Sequence, residues 1–235
     1  MSGLRERKRQ RTHDTISATA IRLFLERGYD AVSVADIAEA AEVSKPTLFR
    51  YFPSKEDLVL HRIADHLGEA ARVVLTRPDV SPVEALHRHF VDGLARRDPV
   101  TGLNDVPEVL AYHGLVFGTP ALAARVAAFT GDDEAALASA LVEVSRHGPG
   151  DAAAVPGAAR APGTARAPGA ARAPGAARAP GVPAGLVAAL RAAQILAVQR
   201  VLAQENWRQL AAGRSADDLY PHAVAAADHA FASLR

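Results

Sequence analysis

Between Ser33 and Lys55 the chain reads SVADIAEAAEVSKPTLFRYFPSK, and it holds three helix-start signals within about twenty residues. Ser33 is a good N-cap, and Asp36 three residues on completes a capping box. Val34, Ile37, Ala38 and Ala41 follow at helical spacing on one side. Glu42 and Val43 are left to make a turn. Ser44 caps a second helix, with Pro46 in its first turn, where a missing N–H costs nothing. Leu48, Phe49 and Phe52 are the apolar anchors of that helix. Pro53 stops it, and Ser54 with Asp57 caps the next one.

Two short helices joined by so tight a turn make a helix-turn-helix, the frame that places its second helix in the DNA major groove. The second helix suits the task. From Ser44 to Lys55 there are three cations (Lys45, Arg50, Lys55) and no acid, and Thr47 and Tyr51 add hydroxyls. The competing reading is an ordinary αα-hairpin in a helical core. Residues 4–11, LRERKRQR, carry Arg5, Arg7, Lys8, Arg9 and Arg11 against Glu6. Alone, such a run is a solvated terminus; beside a helix-turn-helix it is an arm for phosphates or the adjacent minor groove.

The motif of Ser33, Ile37-Ala38, Ala41, Val43-Ser44, Thr47 to Phe52 and Ser54 to Leu58 resembles the DNA-binding domain of the TetR family of bacterial transcriptional regulators. The resemblance covers roughly residues 10–60. It implies an N-terminal DNA-binding domain, a helical ligand-binding and dimerisation domain, and a homodimer built on the last two helices. It also implies DNA-facing roles for Ser33, Val34, Ala35, Ser44, Lys45, Pro46, Thr47, Phe49, Arg50, Tyr51 and Lys55. Lys45, Pro46 and Thr47 are expected to face base edges, and Tyr51 and Lys55 to hold phosphates. One position departs: the family usually has Tyr where this chain has Phe49, so a hydroxyl contact to DNA is absent or passes to Tyr51 or Arg50.

A net charge of +1 over 235 residues means that any DNA-binding face must come from local charge segregation. The absence of cysteine removes disulfides, thiolate zinc sites and cysteine nucleophiles together. The charged N-terminus has no apolar segment behind it, so no signal peptide is expected. The longest apolar stretch, Leu186 to Leu202, is broken by Arg191, Gln194, Gln199 and Arg200, so no membrane partner is expected and the chain is assigned to the cytoplasm. Nine histidines form no metal-ligand spacing, and no HExxH, GxSxG, P-loop or GxGxxG occurs. No catalytic residue, metal or cofactor is expected.

The remainder reads as helices. The first runs from about Thr12 to Arg27, with Ile16, Ala20, Leu23 and Phe24 inward and Gly28 at its end. A long fourth helix runs from Ser54 to about Thr76 and links the DNA-reading region to the rest. Ser81-Pro82-Val83-Glu84 starts a helix to about Arg97. A loop at 98–104 precedes a helix from Val106 to Phe117. Another runs from about Pro120 to Val144, with Thr130-Gly131-Asp132 a candidate break. From 148 to 184 the hexapeptide APG(A/T)AR recurs, and a proline every six residues forbids a continuous helix. This insert is expected to be a disordered linker, with a nucleic-acid tether as the alternative. The next helix, from Pro183 to Ala212, is apolar on two faces: Leu186, Leu190 and Val201 on one, Val187, Ile195, Val198 and Leu202 on another. The last, capped by Ser215 and Asp218, carries Leu219, Ala223, Ala226, Ala230 and Leu234. This pair is suited to packing on the body and on a second copy, the alternative being a purely intramolecular hairpin.

The expected architecture is therefore all-α: residues 1–53 for DNA and 54–235 for ligand binding and dimerisation, with 148–184 as the insert. His89, Phe90, Leu110, His113, Phe117 and Trp207 are the candidate lining of an apolar ligand pocket. The expected function is a DNA-binding regulator, of the repressor type, that recognises a palindromic operator in double-stranded DNA and is released by a small molecule. The alternative is a helical small-molecule-binding protein with a vestigial helix-turn-helix.

Overall fold

Caps and apolar spacing dictate most of what forms. A computed structural model of the chain describes residues 2–77, 79–146 and 183–235. These make ten α-helices: α1 (Ser2–Arg27), α2 (Val34–Ala40), α3 (Lys45–Tyr51), α4 (Asp57–Ala64), α5 (Glu69–Leu75), α6 (Pro82–Ala95), α7 (Pro107–Gly118), α8 (Pro120–Arg146), α9 (Ala184–Ala211) and α10 (Ala216–Ala232). No strand occurs among the described residues. The side chains of Ser33, Ser44, Ser81 and Ser215 each accept from the amide three residues on, and so start α2, α3, α6 and α10. The insert assigned to 148–184 lies outside the described residues except for its last two positions.

Apolar residues collect in two cores. The first takes Ile16, Leu23 and Phe24 from α1, Ile37 from α2, Leu48 from α3, Phe52, and Leu58, Val59 and Leu60 from α4. Tyr112, Leu115 and Val116 of α7 and Leu122 of α8 belong to it too, so it extends well beyond residue 53. The second core joins α5, α6, the middle of α8, α9 and α10 through Val74, Leu86, Phe90, Leu137, Ile195 and Phe231. Each such side chain contributes about 1.5–3 kcal/mol on burial.

Several elements depart from the sequence reading. Helix α1 begins at Ser2, ten residues before the expected start. Arginine, lysine and glutamine are good helix formers, and the Thr12 hydroxyl and the Gln10 amide bond back to Lys8 and on to Asp14. The basic run is thus the outermost turns of α1 rather than a separate arm. The long helix expected from Ser54 to Thr76 is two helices that meet at an elbow over 65–68. Gly68 there has φ +72°, and its N–H donates to Asp133 Oδ1 of α8 at 2.6 Å. Conversely, Thr130-Gly131-Asp132 does not break α8, which lies along α5 and α9.

The buried stripe of α10 is Leu219, Ala223, Ala227 and Phe231, with Ala226 exposed. Phe231 sets that rotation: its ring packs 5.2 Å from His87 and 6.1 Å from Phe90. On α9 the inward residues are Ala188, Ala192, Ile195 and Leu210, and Leu186, Val187, Leu190 and Val201 are at least half exposed. Among the described residues α9 is the one single helix long and apolar enough to cross a membrane by length and composition. Its inward side packs on α8 and α10.

Candidate nucleic-acid interface and interior cavity

Helices α2 and α3 are held by short-range bonds that the sequence encodes locally. Ser33 Oγ accepts from the Asp36 amide at 3.2 Å, and Asp36 Oδ2 accepts from the Ser33 amide at 2.8 Å. The Ser33 hydroxyl also donates to Asp36 Oδ2 at 2.6 Å, and that bond, then the one from the Ser33 amide, holds the Asp36 carboxyl below the usual carboxylate range. Glu42 turns the chain with φ 54°, and the Val43 amide closes the turn on Ala38 O at 2.9 Å. Ser44 Oγ accepts from the Thr47 amide at 3.2 Å and donates to Thr47 Oγ1 at 2.9 Å.

With Leu48 and Phe52 fully buried, the opposite face of α3 is fixed. It presents Lys45, Pro46, Phe49 and Arg50 to solvent, with Phe49 47% exposed. Thr47 is half-buried and its hydroxyl bonds to Ser44, while Tyr51 is half-buried under the Arg50 guanidinium, 5.6 Å from its ring. Ser33 and Ser44 are exposed at the helix starts, and Val34 and Ala35 are half-buried. Arg5, Arg7, Lys8, Arg9 and Arg11 are exposed along α1, and none has an ion-pair partner among the described residues.

Lys55 is placed differently from the phosphate-holding role expected of it. Its Nζ donates to the Tyr29 carbonyl at 2.6 Å and sits 4.2 Å from the centre of the Tyr29 ring and 5.3 Å from that of Phe24. The Tyr29 hydroxyl donates to Glu56 Oε1 at 3.0 Å, and burial together with Glu56 raises its pKa. These contacts fasten the start of α4 to the end of α1. Near the middle of α1, His13 stacks on Phe52 at 4.4 Å and meets His61 edge-on at 4.9 Å. Burial and the neighbouring His13 hold the His61 pKa down.

Between the two cores lies a cavity of about 620 Å³ walled by α4–α9 and the 3₁₀ turn Pro99–Thr101. Of the expected lining residues, His89, Phe90, His113, Phe117 and Trp207 are on its wall. Leu110 is not; it packs against the second core instead. Phe117 links the rings, 6.0 Å from His113 and 5.6 Å from Trp207. Burial lowers the His113 pKa, so the imidazole is held neutral.

The sequence reading missed Tyr112, Phe129 and Asp133 on this wall. Phe129 and Asp133 are four apart on α8 and share a face, which was the available signal. Tyr112 ties α7 to α4 within the first core: its hydroxyl donates to Val59 O at 2.8 Å, and burial pushes its pKa up to about 12. Elbow residues Asp65, His66, Leu67 and Glu69 also face the cavity. Glu69 bridges two imidazoles, with Oε2 2.8 Å from His66 Nδ1 and Oε1 3.1 Å from His89 Nε2. Among the described residues no group of three His, Cys, Asp or Glu is arranged to hold a metal ion.

The family description "Bacterial regulatory proteins, tetR family" matches residues 16–61, from the middle of α1 into α4. The HTH-type transcriptional regulator TcmR of Streptomyces glaucescens is 39% identical over 127 residues, 52% of this chain and 55% of TcmR. The HTH-type transcriptional repressor DhaR of Mycobacterium sp. (strain GP1) is 38% identical over 71 residues, 29% of this chain and 36% of DhaR. The chain thus spans about half the length of the first relative and about a third of the second. Over nearly the whole chain the fold is similar to that of Pseudomonas aeruginosa NalD, the secondary repressor of the MexAB-OprM multidrug efflux pump. The TM-score is 0.51 at 16% identity, covering 94% of this chain and 96% of NalD. Residues 16–61 thus match the tetR family of bacterial regulatory proteins in sequence, and the all-helical chain around them matches NalD in fold.

Proposed function

We propose that this protein is a sequence-specific DNA-binding transcriptional regulator, a repressor released from its operator when a small molecule enters the interior cavity. The observation that carries the proposal is the outward face of α3, where Lys45, Pro46, Phe49 and Arg50 are exposed and acid-free while Leu48 and Phe52 anchor the helix from behind. Lys45 and Pro46 read base edges, Phe49 makes apolar contact in the groove, and Arg50 and the cations of α1 meet phosphates. Its role is regulatory rather than enzymatic, and it acts in the cytoplasm.

The acting form is a homodimer. The exposed apolar face of α9, with Leu186, Val187, Leu190 and Val201, supports this, because a second copy would cover it. Twofold symmetry then requires a roughly palindromic operator with half-sites ~34–36 Å apart or a multiple of that. Helix α4 sits in the first core and α5 in the second, and the elbow between them borders the cavity. A ligand that binds better to the conformation with the elbow shifted favours release, because only differential affinity moves the equilibrium.

A salt-titrated mobility shift with the protein's own upstream intergenic DNA tests the reading. A specific shift at dimer stoichiometry that weakens steeply with salt is expected. Equal affinity for a scrambled competitor across selected genomic fragments removes it.

A further inference from the structure

The walls of the cavity carry an imbalance of charge. Five carboxylates border it (Asp65, Glu69, Asp98, Glu108 and Asp133) against two guanidiniums, Arg62 and Arg200. Four of the five are accounted for. Glu69 is taken by two imidazoles, and Asp98 caps its own turn through the Val100 amide at 3.1 Å. Asp65 and Glu108 are exposed to water. Asp133 differs. It is half-buried, its hydrogen bond is to a neutral backbone amide, Gly68 N–H, and it has no ion-pair partner within 4.0 Å among the described residues. The Arg72 guanidinium, whose charge acts on Asp133, donates to Leu67 O at 2.8 Å. Burial raises the Asp133 pKa, and outweighs the Gly68 hydrogen bond and the Arg72 charge that lower it.

Aromatic side chains share the wall with this carboxylate: Phe90, Tyr112, Phe117, Phe129 and Trp207. Their faces attract cations as well as apolar surface. We infer that the cavity takes an organic cation, an ammonium group on an aromatic body, whose nitrogen pairs with Asp133 while the body packs among these rings. This rests on the reading of the cavity as the effector site, and it adds a route to the elbow. An ammonium that draws Asp133 toward the cavity loosens the bond that holds Gly68, and with it the angle between α4 and α5.

Trp207 is the one tryptophan of the chain and lies on the cavity wall, so its fluorescence reports occupancy without reference to DNA. The full-length protein is titrated with 4-phenylbenzylamine, 4-phenylbenzyl alcohol and biphenyl-4-carboxylate, which share one aromatic body and differ in charge. The amine is expected to bind at least about tenfold tighter than the alcohol, and the carboxylate most weakly. Asp133→Asn, whose amide oxygen still accepts from Gly68, should bring the amine and the alcohol to similar affinity. If the alcohol or the carboxylate binds best, or Asp133→Asn folds and keeps the amine preference, the cation proposal is overturned and the effector cavity stands. If none of the three probes changes Trp207 emission or DNA affinity, the effector reading of the cavity falls, and the proposal with it. The charge order in the unaltered protein decides the matter even where the variant does not fold.

Discussion

Lys55 Nζ lies 2.6 Å from the Tyr29 carbonyl oxygen and 4.2 Å from the centre of the Tyr29 ring, a cation clasped by one residue through both its backbone and its side chain. That clasp ties the chain entering α4 to the loop after α1. Its free energy belongs to folding more than to DNA. Lys55→Ala should therefore cost about 1–2 kcal/mol of stability. The salt dependence of operator binding should stay nearly unchanged. Thermal melts and a salt-titrated mobility shift check the two halves, and a slope reduced by about one counterion would return Lys55 to the phosphates.

Arg50 is the contrasting case. It is exposed on the outward face of α3. Arg50→Ala should leave the melting temperature alone, weaken binding to specific and random DNA alike, and lower the log–log salt slope by about one. A loss confined to one operator position would move Arg50 to base recognition.

Gly102 is part of the cavity wall. It follows the 3₁₀ turn with φ +71°, and a Cβ there would fall 1.9 Å from the Ala203 carbonyl oxygen on α9. Backbone cannot yield as a side-chain end can. Gly102→Ala should cost about 2–3 kcal/mol or more and lower the melting temperature clearly. A neutral result in a denaturant titration would show that α9 can move away from the turn.

The protein should lose stability as pH falls through the histidine range. Burial depresses the pKa of His113 and of His61. A depressed histidine contributes stability that is fully present above its unfolded value of about 6.5 and is lost as pH falls toward its folded value. The lowered carboxyls of Asp36, Glu56, Glu69 and Glu84 act further down, below about 4.5. Melting temperatures between pH 7 and 5 should therefore decline, and His113→Phe should decline less steeply. Parallel curves for the two proteins would remove His113 as a contributor.

The exposed face of α9 makes the dimer testable. Leu190 is 57% exposed there. Leu190→Arg should convert dimer to monomer in sedimentation velocity while leaving the helical content unchanged, because Leu190 is not a member of either core. A persistent dimer would place the interface elsewhere.

What could be read in advance was what is local. The Ser33–Asp36, Ser44–Thr47, Ser81–Glu84 and Ser215–Asp218 pairs each act over three residues, and each helix begins where its cap stands. The outward face of α3 follows from Leu48 and Phe52 by helical geometry. The elbow was not legible. Glycine within an apolar-periodic run is tolerated in a helix, and what pins Gly68 is Asp133, sixty-five residues away in sequence. The seat of Lys55 on Tyr29 and the turn of α10 about Phe231 are tertiary in the same sense. Leu110 shows the limit from the other side: its helix borders the cavity, but periodicity does not tell which of two neighbouring apolar spaces a side chain will fill.

The sharing of Tyr112, Leu115, Val116 and Leu122 with the core of the helix-turn-helix bears on how the chain can be cut and recombined. An excised fragment ending with α4 would strip Tyr112, Leu115, Val116 and Leu122 from the core that Leu58, Val59 and Leu60 belong to, and would leave the Val59 carbonyl without the Tyr112 hydroxyl. A chimaera that exchanges DNA specificity between relatives has two workable seams. One keeps the resident α4 and replaces only the outward residues of α2 and α3. The other transplants α7 and the first turn of α8 along with the head, although α5 and α6 stand between them in the chain.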